Sequence, residues 1–154
     1  MRLWRIANAL YPVWSAEGAR LKGGRWNRPG TLAIYAATSF AAAVLEVLVH
    51  ANTGRVPPSF RVVTADLPDG AGVGCVGAAD LPGWDAMPPG ASCDYGDTWL
   101  RARMGLVLLV PSVVTGGMDL NAMVNPLHPE FARISVGAEE PVRLDPRLFP
   151  VVVR

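Results

Sequence analysis

Arginines, a tyrosine, a glutamate and a serine carry most of the chemistry this sequence offers. Arg20 and Arg25 flank the pair Gly23-Gly24, Tyr35 ends a short apolar run, and Arg5 sits among Leu3, Trp4 and Ile6. Glu46 lies inside an alanine-rich apolar stretch, FAAAVLEVLVH, and Ser112 follows the run from Leu106 to Val110. A guanidinium grips a phosphate or carboxylate through two parallel hydrogen bonds, and a glycine pair lets a ligand come close to the main chain. A carboxylate on an apolar helix is costly unless it is paired or does chemistry. The set suits a ligand with a diphosphate and a leaving group on a glycosidic bond. Cleaving that bond passes through an oxocarbenium-like transition state that a carboxylate stabilises, while a planar aromatic stacks on the base. Spacing alone leaves this as one chemistry among several. The plain alternative for Glu46, a polar helix edge salt-bridged to an arginine, stays open, and Arg20 reads as a surface charge.

Other chemistries find less support. His50 and His128 are the only histidines and neither lies in a ligand cluster, so no metal is expected. Ser112, His128 and Asp119 can be drawn as a triad, but no nucleophile elbow accompanies them. The segment from Gly18 to Gly24 is neither a Walker loop nor a dinucleotide fingerprint. A net charge of +1 lacks the global electrostatic footprint of a nucleic-acid binder.

The 154 residues, 51% of them hydrophobic, fit one domain spanning 1–154. Cys75 and Cys93 have no CxxC spacing and fit a reducing compartment at least as well as one disulfide. Arg5, Asn8 and Pro12 interrupt the start as a signal peptide, and no run approaches the roughly 20 apolar residues of a membrane span. The expectation is a soluble, cytoplasmic protein.

The elements that would position these groups follow from periodicity and punctuation. Leu3–Ile6 and Leu32–Tyr35 read as short strands, and Thr38-Ser39 as the N-cap of a largely buried alanine-rich helix. Thr53, Gly54, Pro57 and Pro58 end that helix, and Phe60–Asp66 alternates as a strand. The stretch from Pro68 to Pro89 reads as a long irregular excursion. A short helix capped by Asp97 or Thr98 carries Trp99, and Leu106–Val110 is a buried strand that Val113-Val114 continues. After Asn121 and Asn125 comes an extended, proline-bounded segment, and Phe131, Ile134 and Val136 suggest another strand. The tail from Val142 to Val153 packs on the core. The whole implies an α+β domain around a partly antiparallel sheet.

In this order the pieces LWRIA, GARLKGGRWNRPG, IYAATSFAAAVLE, GDTWL, VPSVV and NPLHPEF resemble the RES-domain toxins of RES-Xre toxin-antitoxin pairs, from Leu3 to about Val136. The resemblance implies an ADP-ribosyltransferase-like fold and a reaction on NAD⁺ as substrate. The NAD⁺ is degraded with phosphate or water as acceptor, or its ADP-ribose passes to a protein. The family's functional residues fall on Arg5, Arg25, Tyr35, Glu46 and Ser112. By that resemblance Arg5 and Arg25 hold the NAD⁺ phosphates or nicotinamide ribose and Tyr35 stacks on nicotinamide. Glu46 stabilises the developing cation and positions the acceptor, and Ser112 and Asn125 complete the pocket. Leu127 stands where the family commonly has a basic side chain, and TGGMD precedes Asn121 in place of an acidic or proline-containing link. The implied partner is an Xre-type helix-turn-helix antitoxin. The chain has no such motif of its own, so DNA binding would belong to the antitoxin. A non-catalytic or RNA-acting interaction module is the alternative reading, and the oligomeric state, homodimer included, stays open.

Overall fold

Valine, isoleucine and aromatic side chains on a two-residue period favour pleated backbone, and the runs that carry them here pair into one sheet. The computed structural model describes residues 1–52 and 54–149. In chain order its elements are β1 (Arg2–Asn8), α1 (Glu17–Lys22), β2 (Ile34–Ala37), α2 (Phe40–Ala51), β3 (Phe60–Asp66), β4 (Val73–Cys75), α3 (Ala91–Arg101), β5 (Val107–Pro111), β6 (Leu120–Val124), β7 (Ser135–Val136) and β8 (Glu140–Pro141). The strands run β4-β5-β6-β2-β1-β3-β7, with β8 also paired to β3. The β4–β5 pair is parallel and the other described pairs are antiparallel. This is an α+β domain built on a mixed, mostly antiparallel sheet.

Register decides which side chains share a face. Trp4 stands opposite Ala37, Ala37 opposite Asn121, and Asn121 opposite Val110. Directly opposed residues project to the same side, so these four share one face with Tyr35 and Met123. Both longer helices cover that face. α2 packs Ala43, Val44 and Val47 against Ile6 and Ala37, and α3 packs Trp99 and Leu100 against Leu108, Val110 and Met123. α2 therefore lies over β1 and β2, α3 over β5 and β6, and Tyr35 and Asn121 stand at the seam between them. On the opposite face Leu3, Ile34, Ala36, Ala65, Val107 and Val124 bury against Trp14 and Phe131.

Several local expectations are corrected. α2 is covered on one side only rather than largely buried: Leu45 is 45% and Val49 58% exposed, because they sit on the outer stripe four residues apart. The Pro68–Pro89 stretch contains β4, whose glycine-rich sequence has no apolar period but finds a partner in β5. α3 starts at Ala91, with Gly90 as its N-cap, so Asp97 lies within the helix rather than capping it. Residues 113–118 turn rather than extend β5. β6 is a fully paired inner strand at a place where no strand was expected, since its short run LNAMV carries an asparagine, and residues 126–129 after it turn rather than extend. Phe131–Arg133 is a 3-10 turn, with only Ser135–Val136 extended. Val142 and Leu144 pack beside α2 as expected, but Leu148 farther along the tail is exposed, and Thr53 and Val151–Val153 lie outside the described residues.

The start of α2 matters most for the site, because it sets where Glu46 falls. Ser39 is extended, and its Oγ accepts the Ala42 N–H at 3.1 Å, satisfying one of the helix's orphan donors. Ser39→Ala is expected to lower unfolding free energy by about 1 kcal/mol, read as a lower urea midpoint at unchanged slope.

Candidate active site

A carboxylate accepts hydrogen bonds and donates none, so its position is fixed by the donors around it. Glu46 extends from α2 toward the sheet, where its Oε1 accepts from Ser112 Oγ at 2.8 Å and from Asn121 Nδ2 at 2.6 Å. Ser112 lies just beyond β5 and is buried, and Asn121 stands on β6 opposite Ala37. The Glu46 side chain remains one quarter exposed, and its Oε2 lies 3.9 Å from His50 Nδ1, which also sits 2.6 Å from the Glu46 backbone carbonyl. The arginine salt bridge that was the plain alternative for Glu46 does not form among the described residues. Because the Asn121 NH₂ must face the carboxylate, its Oδ1 is left buried without a partner.

The second cluster is the turn GGRWN. Gly24 lies so close to the Tyr35 ring that a Cβ there would come within 2.7 Å of it. The space opened by this glycine is therefore filled by Tyr35 rather than by a ligand. The Tyr35 hydroxyl accepts the Trp26 N–H at 3.0 Å and donates to Asn27 Oδ1 at 2.6 Å. Burial raises the phenol's pKa above its ordinary value, keeping it a donor at neutral pH. Asn27 is fully buried and donates to the carbonyls of Ala19, Arg28 and Thr31. The turn is thus rigid from within, and it presents Arg25.

Arg25 Nη1 donates to the carbonyls of Trp84 and Ala86 at 3.2 and 3.0 Å, and Nη2 approaches Met87 Sδ at 3.1 Å. Trp84 in turn closes against Gly117, where a Cβ would lie 3.2 Å from the indole. Gly117 N–H donates to the Ser112 carbonyl at 2.7 Å. The irregular stretch before α3 therefore spans from Arg25 to the turn that holds Ser112, and walls the face on which Glu46, Tyr35 and Arg25 lie.

Arg5 does not join them. It follows Trp4, so it leaves β1 on the opposite face of the sheet. Its Nε donates to the Val13 carbonyl at 2.6 Å, Nη1 to the Tyr35 carbonyl, and Nη2 to the Ser15 carbonyl at 3.5 Å. Burial pushes its pKa down to about 10, which still leaves it charged at neutral pH. β1 and β2 share a single registered pair, Trp4 with Ala37, and Arg5 clasps the edge where the ladder opens. Asn125 is also structural in its contacts: fully buried, it donates to the Leu100 carbonyl at 2.9 Å and accepts the Leu127 N–H at 3.0 Å. Arg20 pairs with Glu17 at the surface, as expected.

Sequence reasoning overlooked Asn121 as a site residue, along with Asn27 and Trp84. For Asn121 the available signal was a polar residue two positions before buried Met123, inside a strand. Trp84 gave none, since its role depends on a loop with no period. A shallow groove of about 450 Å³ opens elsewhere, lined by Leu81, Ala91, Asp94, Tyr95, Thr98, Trp99 and Met104. None of the candidate side chains lines it, so the site is defined by its hydrogen-bonded polar groups.

The fold has a solved counterpart. A chain of the M. tuberculosis MbcT-MbcA toxin-antitoxin complex matches with a TM-score of 0.67 at 22% identity, over 92% of this chain and 83% of that one. The RES domain family model matches residues 2–145, and the chain belongs to that family. Among curated relatives, the Prs ADP-ribosylating toxin of Sphingobium sp. (strain YBL2) is 38% identical, with 95% of each chain covered. Toxin Res of Photorhabdus laumondii subsp. laumondii is 33% identical, with 85% of each covered. The family expected from the motifs is the one found.

Arg5→Met would leave the carbonyls of Val13, Tyr35 and Ser15 without their donor. At about 1–3 kcal/mol for a buried group left unpaired, urea unfolding should show a loss of about 2 kcal/mol or more. An unchanged midpoint would mean that the clasp carries no stability.

Proposed function

We propose that the chain is the toxin of a toxin-antitoxin pair and that it consumes NAD⁺ by breaking the bond between nicotinamide and ribose. The observation that carries this reading is the Glu46 carboxylate, anchored through Oε1, with a partly exposed Oε2 that lies 3.9 Å from His50 Nδ1. As the glycosidic bond lengthens, the bonding pair leaves with the nicotinamide nitrogen and positive charge grows on the ribose. A fixed carboxylate beside that carbon stabilises the charge without having to reorganise. Oε2 can also accept a hydrogen bond from the incoming acceptor, whose oxygen then bonds to the ribose carbon.

In this reading Glu46 is the catalytic residue, and Ser112 and Asn121 hold it. Arg25 takes the diphosphate with the N–H groups that the loop carbonyls leave over, since a guanidinium has five. For Tyr35 the spent hydroxyl and the contact with Gly24 favour fixing the Arg25 turn over stacking freely on nicotinamide. The contacts of Arg5 and Asn125 favour supporting the sheet and the loop after β6. The expected partner is an antitoxin of the Xre helix-turn-helix type, and the relative named as an ADP-ribosylating toxin makes a protein a candidate acceptor beside phosphate and water.

Surface charge weighs against the alternative of a nucleic-acid-binding module. Arg2, Arg20, Arg28, Arg101, Arg133 and Arg147 are each paired with a carboxylate. Little unbalanced positive surface comes from these six to meet a phosphate backbone. No cluster of three or more His, Cys, Asp or Glu side chains suited to a metal occurs among the described residues. Among them, too, no helix is long and apolar enough to cross a membrane.

The test is nicotinamide release from NAD⁺ by protein freed of its antitoxin, with and without phosphate, identifying the ribosyl product by mass. Glu46→Gln should lower the rate by about 10²-fold or more while the circular dichroism spectrum and melting temperature stay close to wild type. A fully active Glu46→Gln protein would overturn the assignment. Asn121→Ala should lower kcat by about 10-fold, the scale of one lost charge-assisted hydrogen bond, with KM little changed. An unaltered kcat would remove Asn121 from the machinery.

A further inference from the structure

The motif Gly96-Asp97-Thr98-Trp99 has no part in the site as described so far, yet the helix that carries it touches the Arg25 turn at successive points. Cys93 Sγ donates to the carbonyls of Gly24 and Arg25, both at 3.3 Å. Gly96 abuts the next peptide: a Cβ there would lie 1.9 Å from the Trp26 carbonyl oxygen. Asp97 Oδ1 accepts the Arg28 N–H at 3.1 Å. Cys93, Gly96 and Asp97 are all buried and fall at i, i+3 and i+4, on one stripe of α3. Outside that stripe Asp94 pairs with Arg28 at 2.6 Å, and the Tyr95 ring meets Trp26 edge-on with centroids 6.4 Å apart.

We infer that the Cys93-Gly96-Asp97 stripe of α3 is a positioning element for Arg25, fixing where its guanidinium meets the anionic part of the substrate. The inference rests on the NAD⁺ reading above and adds to it the residues that set substrate affinity. Main-chain atoms of Gly24, Arg25, Trp26 and Arg28 are held by α3 on the one hand and by Tyr35 and Asn27 on the other. A turn tied at these four main-chain positions has little freedom to shift, so Arg25 is preorganised before any anion arrives. Burial raises the Cys93 pKa, and its single S–H is shared between the two carbonyls, both 3.3 Å from Sγ. Gly96 is required because no side chain fits between α3 and the Trp26 carbonyl.

The stripe acts through Arg25, so its loss should appear in KM for NAD⁺ and not in the bond-breaking step. Cys93→Ala should raise KM about fivefold, the scale of one net hydrogen bond, with kcat changed less than about twofold and the protein folded by thermal melt. Cys93→Ser, whose hydroxyl can donate to the same carbonyls, should restore KM. In an Arg25→Ala background Cys93→Ala should add nothing further, because two residues acting through one contact are not additive. An unchanged KM in Cys93→Ala, or equal losses with and without Arg25, would overturn the inference while leaving the NAD⁺ reading intact. Absence of NAD⁺ turnover by the wild-type protein would overturn that reading and the role of α3 with it.

Discussion

The arrangement depends on one interaction across layers: the Glu46 carboxylate of α2 hydrogen-bonded to Ser112 and Asn121 at the sheet. It joins a helix to the strands β5 and β6, which α2 does not otherwise cover, and it does so with an ion on an apolar helix. Burying part of a carboxylate costs free energy that two short hydrogen bonds offset. Both bonds fall on the same oxygen. That asymmetry leaves the other oxygen without a hydrogen-bond donor of its own among the described residues, and in the proposed reading it is the one that meets the ligand.

The Arg25 turn is organised differently, from neutral groups. Tyr35 reaches it from β2, Asn27 stabilises it internally, and α3 closes it from outside. Register places Tyr35 and Asn121 on one face of adjacent strands, so the turn and the carboxylate are brought to the same side by the pleat of the sheet. Arg5 belongs to the other side. Its guanidinium fills the opening between β1 and β2, where a single registered pair holds the two halves of the sheet together. Glu46, Tyr35 and Arg25 thus inherit their common face from a sheet that Arg5 helps to keep whole.

Much of this was legible from residue order. The N-cap at Ser39, the apolar helix with its single acid, the strands at β1, β3 and β5 and the family motifs all follow local rules, and local rules survive folding. What escaped was non-local. β4 is glycine-rich and exists because β5 offers a parallel edge, while β6 hides behind an asparagine that serves Glu46 rather than a turn. Arg5 carries the residue type expected of an anion-binding group, but strand parity sends it to the far face, a distinction that needs the pairing partner as well as the sequence. Asn125 likewise has the chemistry of a pocket residue and the contacts of a buried brace. Trp84 sits in a loop whose path is set by the carbonyls that Arg25 captures, and no periodicity could announce it.

In the proposed reading the carboxylate of α2 and the guanidinium of the glycine turn serve one ligand on one face of the sheet. A crystal structure of the Glu46→Gln protein with NAD⁺ tests it most directly. The nicotinamide ribose is expected within hydrogen-bonding distance of residue 46 and the diphosphate against Arg25. Nucleotide bound instead in the groove between Tyr95 and Met104, or against the face that carries Arg5, would contradict it.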